Sequence, residues 1–150
     1  MTLTTTTHLN FRGDARAALE FYQSVFGGNL AITTYAELGM PADAPGADSV
    51  VFGQVESEGF AVMGYDIPGQ TGGSLAGKSA IRRENGMTLT DQACFVSINA
   101  STLDEVQSYW DALADGAAIV EPLAASAWSA GFGMLTDRFG VTWSVGVTAG

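Results

Sequence analysis

A chain of 150 residues with 47% hydrophobic residues and 19 glycines has the size of one domain or of two small modules, and at that length it buries roughly 68–70% of its unfolded surface without crosslinks. Six Lys and Arg against 16 Asp and Glu leave a formal charge of −10, which repels phosphate backbones and anionic lipid and argues against nucleic acid as a partner. No apolar run approaches the ~20 residues of a membrane span, the opening Met-Thr-Leu-Thr-Thr-Thr-Thr has neither the charge nor the apolar core of a secretory signal, and one cysteine allows no intrachain disulfide, so a cytoplasmic protein without membrane association is expected.

From His8 to Gly28 the chain reads as one β-α unit. Leu9 and Phe11 alternate with His8 and Asn10, giving an apolar and a polar strand face. Gly13 and Asp14 make a turn with Asp14 as the expected N-cap. Ala15, Ala18, Leu19, Tyr22, Val25 and Phe26 then fall on one helical stripe, and Gly27-Gly28 stops it. Leu9 and Phe11 must face that helix, so His8 and Asn10 face away. Residues 30–36 are β-branched and aromatic and predict a strand. Residues 37–48, with two prolines and two glycines, predict loop. Residues 49–56 and 60–65 predict a hairpin turning at Ser57-Glu58-Gly59.

Residues 67–92, rich in glycine, read as a linker carrying the basic cluster Lys78, Arg82 and Arg83. A short helix over 76–84 is expected within it, and the charges read as a solvated surface in preference to a cap for an anionic ligand. A second β-α unit follows. Residues 94–99 predict a strand with Cys94 as a buried, inert thiol. Thr102-Leu-Asp-Glu105 fits a capping box, and Leu103, Val106, Tyr109, Trp110 and Leu113 trace a helical stripe ending near Gly116. Residues 117–123 predict a strand, and 128–136 with 141–147 a hairpin around Asp137-Arg-Phe-Gly140.

The two halves therefore repeat one order of strand, helix, strand, strand, strand. Strand end to helix stop is 16 residues from Phe11 to Gly27 and 18 from Ile98 to Gly116, which predicts a tandem repeat: module 1 over about 5–66 and module 2 over about 93–147. The expected fold is α+β, two βαβββ modules forming curved mixed sheets around a cleft within a single domain spanning 1–150. Strand alternation lines that cleft with His8, Asn10, Phe52, Gln54, Met63, Tyr65, Ser97, Trp128, Phe132 and Ser144. Asn99, or Cys94 and Val96, together with Met134 and Thr142, are further candidates. Such a lining is aromatic with a few hydrogen-bonding groups, which suits a small organic molecule.

Catalytic constellations are scarce. His8 is the only histidine, whereas a catalytic divalent site needs about three or four ligands. The acids Asp14, Glu20, Asp104, Glu105, Asp111 and Asp115 fall on turns or outer helix faces, and Glu56 and Glu58 flank a turn. No metal site and no cofactor are expected. The sequence has no Gly-x-Ser-x-Gly elbow, phosphate loop or dinucleotide fingerprint, and the serines between Ala124 and Ser129 have no second histidine to activate them.

The stretch Leu9–Gly28, the segments Ser49-Val-Val-Phe-Gly-Gln54 and Phe60 to Asp66, and the run Gly131–Val145 together resemble the PhnB-like branch of the vicinal oxygen chelate superfamily. This group takes in glyoxalases, bleomycin-resistance proteins and extradiol dioxygenases. The resemblance covers nearly the whole chain and implies the tandem βαβββ fold and a homodimer. The superfamily's enzymes place His or Glu on the first, fourth, fifth and eighth strands of the two modules. Here those places hold Thr6 or His8, Met63 or a neighbour, Ala93 or Phe95, and Ser144, while a histidine usual on the third strand is replaced by Phe52. The expectation is thus a metal-independent binder of a small organic molecule. The alternative is a metal-dependent lyase, isomerase or dioxygenase, or an enzyme using His8 as general base.

Overall fold

The structure, a computed structural model, describes residues 2–73 and 80–148, and the chain divides into two compact units, 1–74 and 75–150. In unit 1 the alternation of the first strand is what sorts its faces. Along β1 (Thr7–Phe11) Leu9 and Phe11 are buried while His8 and Asn10 are exposed. The following helix, α1 (Ala15–Phe26), buries Ala15, Ala18, Leu19 and Tyr22, and Phe26 stacks on Phe60 at 4.0 Å. Gly27 ends the helix at φ 73°, its N–H returning to the Gln23 carbonyl, a conformation that favours glycine because it carries no Cβ.

Three strands complete the unit: β2 (Asn29–Thr34), β3 (Val50–Ser57) and β4 (Phe60–Asp66). A short 3-10 turn at Ala36–Leu38 occupies the end of the stretch expected as strand. The sheet runs β1-β4-β3-β2, with β1 parallel to β4 and the other pairs antiparallel. The helix sits down where the sheet has no side chain. A Cβ on Gly53 in β3 would overlap Leu19 Cδ1, and one on Gly64 in β4 would crowd Phe11 at 3.0 Å and Leu19 at 3.4 Å.

Asp14 does not cap α1, since its side chain makes no capping hydrogen bond. The cap comes from Asp66, at the end of β4. This carboxylate is only 2% exposed. Its Oδ1 accepts from Gly13 N–H at 2.9 Å and Ala15 N–H at 3.0 Å, and its Oδ2 from Val50 N–H at 2.9 Å. One acid thereby ties the helix start, the start of β3 and the end of β4 together, and its negative charge stands at the favourable end of the helix dipole. Tyr35 donates its phenol proton to the Asp66 carbonyl at 2.9 Å.

Unit 2 opens with a hairpin of β5 (Ile81–Glu84) and β6 (Met87–Thr90). Residues 81–84, expected as the end of a short helix, are strand, and 76–79 together with Lys78 lie outside the described residues. The turn explains the difference. Asn85 and Gly86 take φ 50° and 77°, the pair of positive values that a two-residue type I′ hairpin requires and that Asn-Gly meets best.

After the hairpin come β7 (Val96–Ala100), α2 (Leu103–Ala114), β8 (Ala118–Ser126), β9 (Ser129–Thr136) and β10 (Thr142–Val147). The order β7-β10-β9-β8, with β7 parallel to β10, repeats that of unit 1. Thr102 Oγ1 accepts from Glu105 N–H at 3.2 Å, and the Glu105 carboxylate takes the Ser101 N–H at 3.1 Å; this is the expected box with its return bond one residue earlier. Val106, Trp110 and Leu113 are buried along α2. The seat of this helix repeats too, because a Cβ on Gly133 in β9 would lie 2.8 Å from Trp110 and from the Leu123 backbone.

Asp137 is buried in the β9–β10 turn. It accepts from the N–H groups of Phe139 and Val141 and from Trp143 Nε1, all between 2.8 and 3.0 Å. Cys94 precedes β7 and is exposed, correcting the expectation of a buried thiol in a strand. The strand begins at Val96, so nothing covers the cysteine in the way a sheet covers its core.

Candidate functional site: the open sheet faces

Each sheet has one face closed by its helix and one left open by it, and parity decides which side chains reach the open side. In unit 1 the parallel register sets His8 opposite Met63 and Asn10 opposite Tyr65, and the next strand sets Gln54 opposite Met63. Phe52, two residues from Gln54 on the same strand, shares its side. His8, Asn10, Phe52, Gln54, Met63 and Tyr65 therefore all stand on the open face, opposite the buried Leu9, Phe11, Val55 and Val62. His8 lies edge-on to Tyr65 with ring centroids 5.2 Å apart. Its Nδ1 is 3.3 Å from Asn10 Oδ1, a hydrogen bond in the tautomer protonated on Nδ1. Gln54 donates to the Glu56 carboxylate at 3.2 Å, and Phe52 is 40% exposed.

In unit 2 Ser97 pairs with Ser144, and Ser144 with Met134. Phe132 shares their face, opposite the buried Leu135, Trp143 and Val145. Trp128 lies in the β8–β9 turn, outside any strand, and is 92% exposed. This open face differs from that of unit 1 because the β5–β6 hairpin lies on it. The Arg83 guanidinium sits 5.2 Å from the Phe132 ring centroid, Arg83 Nη1 donates to Thr88 Oγ1 at 2.9 Å, and Thr88 Oγ1 lies 3.6 Å from Met134 Sδ. Arg83 and Glu121 thus belong beside the residues that parity singled out. The Asn85-Gly86 dipeptide was the local signal that could have placed Arg83 on a hairpin.

Beneath the hairpin is a pocket of about 540 Å³, lined among others by Arg83, Glu121, Trp128 and Phe132. A hollow of about 550 Å³ on unit 1, beside the start of α1, has acidic walls at Asp14, Glu20 and Asp48. It lies on the helix side of the sheet, and its one buried acid, Asp66, is already engaged by three backbone donors. Among the described residues no three His, Cys, Asp or Glu side chains form a group that could hold a metal ion.

Two βαβββ units, each a four-stranded mixed sheet backed by one helix, define the α+β class of the glyoxalase and bleomycin-resistance fold. The family model described as 3-demethylubiquinone-9 3-methyltransferase matches residues 4–146, and the chain belongs to that family, in the PhnB-like branch of the vicinal oxygen chelate superfamily. Protein PA1353 from Pseudomonas aeruginosa is similar at 28% identity, over 97% of this chain and 98% of its own, with a TM-score of 0.76. The PhnB protein from Bacillus cereus is 25% identical over 97% and 100% of the two chains, with a TM-score of 0.67. A glyoxylase/bleomycin resistance protein/dioxygenase domain from Frankia shares the fold at 12% identity, over 99% of each chain, with a TM-score of 0.60. No curated protein matches the chain in sequence.

The metal that the superfamily's enzymes carry does not fit the residues present. His8 faces Met63 across the register, and Ser97 faces Ser144. Neither pair, an imidazole with a thioether in unit 1 or two hydroxyls in unit 2, is the His and carboxylate set that holds a Lewis-acid metal.

Proposed function

We propose that the protein binds a small organic molecule without a metal ion, using the open sheet faces that carry His8, Asn10, Phe52, Gln54, Met63 and Tyr65 in unit 1 and Ser97, Phe132 and Ser144 in unit 2, with Trp128 at the turn beside them. The observation that supports this most is the composition of those faces, in which aromatic and apolar groups are interspersed with hydrogen-bonding ones and, among the described residues, no group of three His, Cys, Asp or Glu accompanies them. Binding sites for small molecules have this character. The family's description names a methyltransferase. Neither sheet is the parallel, doubly wound kind at whose switch point nucleotide-type cofactors bind.

A homodimer, as the resemblance implies, and a cytoplasmic location belong to the same proposal. No helix among the described residues is long and apolar enough to cross a membrane. Elemental analysis of protein purified without chelator, joined to titration with small aromatic compounds followed by Trp emission, tests the binding. The expected result is substoichiometric metal and a saturable emission change that is unaltered by EDTA. Stoichiometric zinc, nickel, manganese or iron that the ligand response requires would overturn it.

A further inference from the structure

We propose that the pocket under the β5–β6 hairpin selects planar aromatic molecules bearing a neutral group that both donates and accepts hydrogen bonds, a primary carboxamide being the simplest case. The inference rests on the small-molecule reading above and names the ligand class for the unit 2 face. Its volume of about 540 Å³ is that of a site for a compound of a few rings. Trp128 at its rim offers a broad apolar surface left 92% exposed, and Phe132 forms part of its wall with one side already covered by the Arg83 guanidinium. Aromatic faces placed in this way stack on planar rings.

Polarity then decides which ring. Arg83 is largely enclosed, with 20% of its side chain exposed, and its Nε–H is shielded from solvent with no acceptor. Thr88 engages only Nη1, and Glu121 Oε2 stands 3.8 Å from Nε, too far for a hydrogen bond. The wall that Arg83 and Glu121 share therefore holds a cationic donor without a hydrogen-bond acceptor next to a carboxylate, which can only accept. A carboxylate ligand would satisfy Arg83 and meet the charge of Glu121. An ammonium would do the reverse. An amide supplies a carbonyl oxygen to Arg83 and an N–H to Glu121 and brings no net charge.

The test compares benzamide, benzoate and benzylamine on the full-length chain by ligand-observed NMR titration. Benzamide is expected to bind about tenfold more tightly than benzoate. Glu121→Gln should raise benzoate affinity to within a few-fold of benzamide, and Arg83→Met should weaken benzamide about tenfold. Trp128→Ala should weaken all three compounds alike and leave their ratios unchanged. Glu121 and Trp128 have exposed side chains, so these two variants decide the matter even where Arg83→Met loses its hairpin by near-UV circular dichroism. If the three compounds bind equally, with Trp128→Ala weakening each, small-molecule binding stands and the donor–acceptor assignment fails. If none binds at millimolar concentration, the assignment fails together with the use of this face as a ligand surface.

Discussion

Asp66 shows how much of a module can hang on one carboxylate. It is buried and accepts three backbone N–H groups, so Asp66→Ala would strand all three. Leaving a buried donor unmatched costs ~1–3 kcal/mol each, with partial relief by entering water. We expect Asp66→Ala to lower stability by about 3 kcal/mol or more, read as a fall in the urea midpoint, whereas Asp14→Ala changes it little. Equal effects at the two positions would mean that Asp14 is the cap. Tyr35 adds a pH signature at the same junction. Burial first, then the negative potential of Tyr65 and Asp66, raises its pKa above the ordinary 10.0. The folded chain thus holds this proton more tightly than the unfolded one. Its contribution is fully present below pH 10.0 and is lost as pH rises through the raised value. Tyr35→Phe should flatten the alkaline fall of Tm above pH 10.0, and an unchanged alkaline limb would assign that fall elsewhere. None of this is visible in local sequence. Asp14 sits where an N-cap belongs and the true cap is 51 residues from Ala15.

At the scale of the element, the helices and most strands follow from spacing that can be counted along the chain. Alternation at residues 8–11 and the stripe from Ala15 to Tyr22 suffice for the first β-α unit, because the burial that stabilises each element is written in its own period. The β5–β6 hairpin was hidden by composition. Its glycine-rich surroundings look like linker, and only the Asn85-Gly86 pair marks the turn. Cys94 errs the other way, as an apolar stretch outside a strand. The glycines that seat the helices are illegible for a different reason. Gly53 reads as a break in a strand until Leu19 is seen occupying the space of its missing side chain. Gly53→Ala should cost about 1–3 kcal/mol from overpacking, measured by chemical denaturation. Gly59→Ala meets no crowding, since a Cβ there finds nothing within 4 Å, and costs only the strain of a side chain at φ 83°. A neutral Gly53→Ala would show that α1 can lift away without loss.

For the whole molecule, the repeat is more faithful in structure than in sequence. Both units place their strands in the same order, pair their first and last strands in parallel, seat their helix on a glycine of the third strand and bury an aspartate, Asp66 at the end of β4 and Asp137 in the turn after β9. What was not repeated is the hairpin laid on one open face, which makes the two faces chemically unequal and places Arg83 over Phe132. All three tryptophans, Trp110, Trp128 and Trp143, belong to unit 2. With Trp110 8% and Trp143 0% exposed against 92% for Trp128, an emission change on ligand addition reports the turn beside the pocket.

The long reach of Asp66 also orders events in time. During synthesis at about 5–20 residues per second, α1 is complete roughly 2–8 seconds before its capping carboxylate has been added. The first strand waits longer still for β4, its neighbour in the sheet. Until then the nascent segment has a helix with an open end and a strand with no partner, both open to a chaperone or a protease. When Asp66 and β4 arrive they close both together, so the first half of the chain is committed late and in a single step.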